Sequence, residues 1–245
     1  MEAAWVLFAH VAQRPEEEID LGTAGLLIAE AEYPGLDVAH YLSVLDAMAD
    51  GSRARASREE SESEEDELLH LLRALNQHLF EDLGFRGNQD DYYDPKNSFL
   101  NEVIDRRVGN PITLSVVYME VGRRLGLPLE GVSFPGHFLV KYRTREGDLL
   151  LDPYHSGVAL SRSELEQRLE RAFGKKTTLA PSHLQTATKR QILTRMLNNL
   201  RGIYQQVGDA LRERGVLERL AILNPQDERV GEALAVLRRG KGEVN

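Results

Sequence analysis

Apolar residues recur at helical spacing through the first part of the chain. Leu21, Leu27 and Ile28 fall on one face of a predicted helix, and a Tyr-Pro-Gly turn signal ends that helix. The same spacing resumes after the turn. We therefore predict that residues 1–50 form a helical N-terminal unit.

Helical spacing returns in the C-terminal part of the chain, residues 176–245. A long helix is predicted from about Thr188 to Val207, and Gly208 breaks it. Two shorter helical patterns follow, separated by a short turn that contains a proline. This succession of helix, short turn and helix predicts a helical hairpin that can serve as a partner surface.

The segment between the N-terminal unit and the middle of the chain is charged. Residues 51–66 contain many serines and ionisable residues, and no apolar residue larger than alanine. Such a composition cannot bury a core, so it indicates a linker or a solvated helix start.

Residues 67–175 carry a mixed pattern of helices and strands. The most apolar helix begins at Asn110, which can cap it, with Pro111 at the first helical position. Its sequence, ITLSVVYMEVGRRLG, is apolar around much of the circumference. We predict that this helix is the buried centre of the domain.

Three strand patterns follow the central helix, namely LEGVSF, HFLVKYR and GDLLLDPY. If residues 144–147 form a hairpin turn, the register places Arg143 opposite Asp148. The same register places Asp152 on the face of the sheet that carries His137, one diagonal step away. We therefore expect His137 and Asp152 to lie close together.

Composition limits the chemistry that this site can perform. The 245 residues include no cysteine, which excludes disulfides, thiolate metal sites and a cysteine nucleophile. The net charge of −9 argues against a nucleic-acid surface. No apolar run is long enough to span a membrane, and the first ten residues lack a signal-peptide pattern, so we expect a cytoplasmic protein.

A helix N-terminus, a histidine and a carboxylate together can activate a hydroxyl nucleophile. Here the helix start offers Thr113 and Ser115, with His137 as a base and Asp152 to orient it. Thr113 and Ser115 can equally serve helix packing, with their hydroxyls bonded back along the helix. His137 and Asp152 can also simply satisfy each other.

A metal site is a weaker interpretation of the same region. Asp152, His155 and His137 could supply oxygen and nitrogen ligands, but their positions match no established ligand spacing. We therefore expect neither a metal nor another cofactor.

Several joined segments in order carry a resemblance to a known family. These segments are DPKNSFLNEVIDRRVGNPITLS, VYMEVGRRLGLPLEGVSFPGHFLV and LLLDPYHSG. They resemble the SirB family of transglutaminase-like proteins, in which a transglutaminase-like domain precedes tetratricopeptide-type helices. The resemblance implies an α+β, papain-like core, in which a central helix packs on a small antiparallel sheet, with a helical N-terminal lead-in and a C-terminal helical hairpin.

The resemblance also implies roles for particular positions. The histidine and aspartate of a transglutaminase-like site correspond to His137 and Asp152, whereas the cysteine position falls on Pro111 or Ile112. The favoured hypothesis is therefore a non-catalytic, regulatory module that binds a protein or peptide partner. The alternative is a hydrolase or acyltransferase that uses one of the two hydroxyls. The oligomeric state stays open.

Overall fold

Ten α-helices lie in residues 2–56 and 63–239, the part of the chain that the computed structural model describes. In chain order they are α1 Glu2–Ala12, α2 Leu21–Glu30, α3 Val38–Ala56, α4 Glu64–Asn76, α5 Leu100–Arg106, α6 Pro111–Arg124, α7 Arg162–Phe173, α8 Lys189–Val207, α9 Ala210–Leu223 and α10 Glu228–Arg239. A π-helical segment, Gln77–Asp82, directly continues α4. None of these described helices is long and apolar enough to cross a membrane.

Six strands form two sheets. They are β1 Arg86–Gly87, β2 Val108–Gly109, β3 Leu129–Val132, β4 Leu139–Thr144, β5 Gly147–Asp152 and β6 Val158–Leu160. β1 and β2 form a short parallel pair, and the other four strands form an antiparallel sheet in the order β3-β4-β5-β6. Arg143 faces Asp148 across the β4–β5 hairpin, so the predicted register is confirmed.

Helix α6 is the buried centre of the fold, as predicted. Every residue from Pro111 to Gly122 is buried. Gly122 permits the close approach of β3, because a Cβ atom at this position would lie 2.3 Å from a side-chain carbon of Leu129. A helix that is apolar around much of its circumference must be surrounded by other parts of the fold.

The four-stranded sheet has a hydrophobic core on each face. Val140 and Leu151 belong to the large core that includes α6, whereas Leu139 and Leu150 belong to a smaller core with Leu169 of α7. This alternation follows from the two-residue period of strands. The architecture is therefore α+β, with helices on both sides of the sheet, as expected.

The terminal helices join the same large core as α6. Phe8 of α1, Leu26 of α2 and Leu217 of α9 are all buried members of it. α1 contacts α9, and α2 contacts α8. The N-terminal unit and the C-terminal helices thus pack against each other and against the middle of the chain.

The charged segment differs from the predicted linker. α3 continues through Ala56, and Ser52 within it is buried with its hydroxyl donating to the Met48 carbonyl at 2.9 Å. Ser63 caps α4 through the backbone N–H of Asp66. Residues 51–56 of the predicted linker are therefore helical. Residues 57–62 of it lie outside the described residues.

A buried capping box fixes the start of α6. The Asn110 side chain accepts from the Thr113 backbone N–H at 3.1 Å, and the Thr113 hydroxyl accepts from the Asn110 backbone N–H at 3.2 Å. The Asn110 amide also donates to the Ser98 hydroxyl at 2.9 Å. Because these groups are buried, each depends on its partner for hydrogen bonding.

Replacing Asn110 with Ala should lower the free energy of unfolding by about 2–3 kcal/mol, since the change removes a cap and leaves buried polar groups unpaired. The matched control is Thr188→Ala in the exposed capping box of α8, for which we expect a loss of about 1 kcal/mol. Urea unfolding monitored by circular dichroism measures both. Equal losses would contradict the structural importance of the buried cap.

Candidate functional site

A fully buried carboxylate, Asp152, lies at the end of β5, accepts three hydrogen bonds and forms an ion pair with Arg168. Its Oδ1 lies 2.9 Å from Nε2 of His137 and accepts the backbone N–H of Tyr154 at 3.1 Å. Its Oδ2 lies 2.7 Å from Nδ1 of His155 and 2.7 Å from Nη1 of Arg168. A carboxylate with this many donors is stabilised in its charged form.

The chain after β5 folds back on Asp152 itself. Asp152 caps a 3₁₀ turn that begins with Pro153, and Ser156 and Gly157 then take positive φ values of 58° and 68°. The Gly157 N–H donates to the Asp152 carbonyl at 2.8 Å. This tight reversal brings His155 back beside the carboxylate of Asp152.

His137 reaches the site from a turn rather than from a strand. β4 begins only at Leu139, so the predicted strand pairing does not extend to His137. Its backbone N–H donates to the Phe134 carbonyl at 3.0 Å, which closes the turn. Arg195 of α8 donates to its carbonyl at 2.8 Å. The structure thus brings His137 and Asp152 together, but His137 lies in a turn that these two hydrogen bonds fix, not in a paired strand.

The surroundings of Asp152 set its ionisation. Burial alone would raise the pKa of this carboxyl, but hydrogen bonds from His137 and His155 and the charge of Arg168 outweigh burial. Together they hold the pKa of Asp152 well below its usual value of 3.8. The carboxylate is therefore charged throughout the physiological pH range.

Thr113 and Ser115 are both buried, and their hydroxyls bond to the backbone. The Thr113 hydroxyl donates to the Asn97 carbonyl at 2.7 Å, and the Ser115 hydroxyl donates to the Pro111 carbonyl at 2.7 Å. Within residues 2–56 and 63–239, neither hydroxyl makes a hydrogen bond with His137. The structure does not bring the two predicted nucleophiles to the predicted base.

Buried asparagines occupy the surroundings of the α6 N-terminus. Asn88 donates to the Asn97 side chain at 3.0 Å, and Asn97 donates to the Asp91 carbonyl at 2.8 Å. Asn110 completes the group through the cap of α6. Asn88 and Asn97 were not predicted as residues of this site, whereas Asn110 was predicted as the cap of α6.

A series of five aromatic rings leads from solvent to the buried carboxylate. Ring centroids are 5.3 Å apart for Tyr93–Tyr92, 6.3 Å for Tyr92–Tyr154, 5.9 Å for Tyr154–His137 and 5.0 Å for Tyr154–His155. Tyr92 and Tyr93 are 45% and 64% exposed. We call these five residues the aromatic series. In the sequence, only the adjacent Tyr92 and Tyr93 mark its outer end.

Close backbone approach positions the middle of the aromatic series. The Tyr154 hydroxyl donates to the Asn88 carbonyl at 2.8 Å. A Cβ atom on Gly87 would lie 2.5 Å from the Tyr154 ring, so only glycine fits there without displacing the ring. β1 therefore holds Tyr154 against the site.

His137, Asp152 and His155 offer three ligand atoms that lie within 4.8 Å of one another. The spacing of these residues in the sequence made a metal site a weak interpretation, yet the fold brings the three side chains together. Both carboxylate oxygens already accept hydrogen bonds, and Arg168 lies 2.7 Å from one of them. A metal cation would have to lie beside that guanidinium, so the arrangement fits a hydrogen-bonded ion network better than a metal centre.

This geometry agrees with a comparison against protein families. The model described as the transglutaminase-like superfamily matches residues 39–198, which is more than half of the chain. The chain belongs to the transglutaminase-like superfamily. The transglutaminase-like part of the resemblance seen in the sequence is thus confirmed, and the matched region contains every residue of the site described above.

Relatives of this transglutaminase-like chain include two bacterial proteins named UPF0162 protein. The one from Xylella fastidiosa (strain Temecula1) is 42% identical over 205 residues, covering 81% of this chain and 69% of the relative. The one from Pseudomonas aeruginosa is 34% identical over 229 residues, covering 94% of this chain and 80% of the relative. The chain is therefore also a member of the UPF0162 family.

A mammalian protein shares a shorter region. F-box only protein 21 of Mus musculus is 35% identical over 146 residues, which cover 56% of this chain and 22% of the mouse protein. In that protein the similar region is a small part of a much longer chain. No solved structure matches the transglutaminase-like chain.

Replacing Asp152 with Asn should lower the free energy of unfolding at pH 7 by about 3 kcal/mol, because Arg168 loses a buried partner. Since the pKa of Asp152 is lowered by folding, its contribution is complete above pH about 4 and is lost as the pH falls through the folded-state pKa. The difference between wild type and variant should therefore shrink in acid. Denaturant unfolding at pH 7, 5 and 3 measures this.

The control for this prediction is Asp148→Asn on the same strand. Asp148 is partly exposed and lies 3.6 Å from Arg143. We expect its replacement to cost less than about 1 kcal/mol, as for other surface pairs. A loss for Asp152→Asn no larger than this, or one independent of pH, would contradict the ion network.

Proposed function

We propose that this protein is a non-catalytic transglutaminase-like module that binds a protein or peptide partner at the aromatic series. The observation that carries the proposal is the missing nucleophile: the chain has no cysteine, and its two candidate hydroxyls bond to backbone carbonyls. His137 and Asp152 nevertheless keep a close hydrogen bond of 2.9 Å. A retained histidine–aspartate pair without a nucleophile favours recognition over turnover.

The start of α6 supports the non-catalytic interpretation. By the resemblance, the cysteine of a transglutaminase-like enzyme would fall on Pro111 or Ile112, and neither side chain can attack a carbonyl. Ile112 is also almost fully buried. One of the backbone N–H groups that could activate a nucleophile here, that of Thr113, instead donates to the Asn110 side chain.

The outer end of the aromatic series supports peptide binding. Exposed tyrosines are enriched in protein interfaces, where they bury a large area and keep a polar hydroxyl. Tyr92 and Tyr93 are neighbours in sequence and contact each other edge to face. His137 adds a polar group to this surface. Its Nδ1 makes no hydrogen bond in the described part of the chain and is not among the buried polar atoms that lack a partner, so it is available to a ligand.

The C-terminal helices are a second part of the proposal. α8 and α9 pack along each other, and Val207 and Leu211 near their junction are 70% and 71% exposed. We assign this hairpin a tetratricopeptide-like character and the chain a SirB-type regulatory role, on the basis of the resemblance. One hairpin cannot form a concave groove alone. We therefore propose that it extends the contact that the partner makes with the aromatic series.

Panning a phage-displayed random dodecapeptide library on the full chain tests the binding proposal. We expect selected peptides to bind the wild type and to lose at least about tenfold in affinity on Tyr92→Ala/Tyr93→Ala, because central aromatic residues contribute much of interface energy. Phe173→Ala is the control, since Phe173 is a similarly exposed ring on α7. Fluorescence anisotropy of labelled peptides measures the dissociation constants.

Two results would count against binding at this site. One is a failure to select any peptide above background. The other is affinity that responds equally to the double tyrosine variant and to Phe173→Ala. Circular dichroism of each variant confirms that its fold is retained.

An activity assay separates binding from the hydrolase alternative. We expect no hydrolysis of p-nitrophenyl acetate and no amine incorporation into glutamine peptides above the level of His137→Ala. Turnover by the wild type that disappears in both His137→Ala and Ser115→Ala, or in both His137→Ala and Thr113→Ala, would establish an enzyme instead.

A further inference from the structure

Arg195 carries a guanidinium beside His137 that has no carboxylate partner. It lies on α8, donates one hydrogen bond to the His137 carbonyl at 2.8 Å and places its guanidinium carbon 5.7 Å from the Phe138 ring centroid. It makes no ion pair with an Asp or Glu of the described residues. Burial lowers the pKa of Arg195 below its ordinary value.

Other guanidinium groups that are partly buried in this chain are neutralised by acids. Arg124 lies 2.8 Å from Glu120, and Arg168 lies 2.7 Å from Asp152. Arg219 also lacks an ion pair, but it packs over Phe8 in the contact between α1 and α9. An unpaired charge is unfavourable away from water. Arg219 keeps its unpaired Nε buried, whereas no unpaired donor of Arg195 is buried, so an anion can supply the missing partner of Arg195.

The free side of Arg195 is accessible to a ligand. Its Nε and Nη1 groups make no hydrogen bond within the described part of the chain, and neither is among its buried unpaired polar atoms. A guanidinium presents its donors as a planar fork that matches a carboxylate. Its hydrogen bond to the His137 carbonyl places Arg195 beside the inner end of the aromatic series.

We infer that the partner is an acidic peptide, which places a carboxylate on the free side of Arg195 and packs neighbouring side chains on the aromatic series. The inference rests on the proposed peptide-binding function and names the chemistry that Arg195 and the aromatic series select. The carboxylate can belong to an Asp or Glu side chain or to the C-terminus of the peptide. Because the whole chain carries a net charge of −9, general attraction would not favour acidic ligands.

A double-mutant cycle on the tightest selected peptide tests the pairing. The peptide is synthesised in its parent form, with each Asp or Glu replaced by Asn or Gln, with a C-terminal amide, and with both changes. Anisotropy then gives dissociation constants for the wild type, Arg195→Gln and Arg195→Lys. The control is Arg73→Gln, which removes an equal charge from an exposed position on α4.

We expect loss of the critical carboxylate to weaken wild-type binding at least about tenfold, as for other hydrogen-bonded charge pairs. Arg195→Gln should weaken the parent peptide equally and leave the neutral form unchanged. Arg195→Lys should restore part of the affinity, because it keeps the charge without the fork. The amide and side-chain forms then show which carboxylate pairs with Arg195.

The inference is overturned if neutral peptides bind the wild type as well as the parent, or if Arg195→Gln weakens both forms equally. The second result would mean that Arg195 only supports His137 through its carbonyl. If peptide affinity still depends on Tyr92 and Tyr93, either result leaves the proposed peptide-binding function unaffected. Absence of any selected peptide would instead remove the proposed function itself.

Discussion

The buried carboxylate of Asp152 is the constraint on which the site depends. A carboxylate without solvent requires donors on both oxygens, and here they come from three separate parts of the chain. His137 lies in the turn before β4, His155 in the turn after β5, and Arg168 on α7. One charge thus ties the two ends of the β4–β5 hairpin to the helix that covers the outer face of the sheet.

The N-terminus of α6 shows how this chain uses the backbone groups at the start of its central helix. Helix N-termini carry free N–H groups that stabilise an anionic nucleophile or an oxyanion. In this chain the Asn110 side chain accepts the Thr113 N–H, and the Thr113 hydroxyl accepts the Asn110 N–H. These polar groups at the start of α6 stabilise the fold, while His137 and Asp152 keep their own hydrogen bond.

Periodicity and turn chemistry predicted what depends on neighbours in sequence. The apolar circumference of α6 and the register of the β4–β5 hairpin are local patterns, and both are confirmed. The continuation of α3 to Ala56 was not predictable from composition, because a buried Ser52 satisfies its hydroxyl within the helix. The aromatic series and Arg195 join a loop, a turn and α8, so no sequence spacing reveals their proximity.

The parallel pair of β1 and β2 has a consequence for the kinetics of recognition. It fixes residues 86–87 against 108–109, and Asn97 holds the Asp91 and Tyr92 carbonyls a few residues later. The loop that carries the exposed tyrosines is therefore anchored at both ends before any ligand arrives. A partner would meet a preorganised platform, so association would require little loop ordering and its rate would be governed by encounter and orientation.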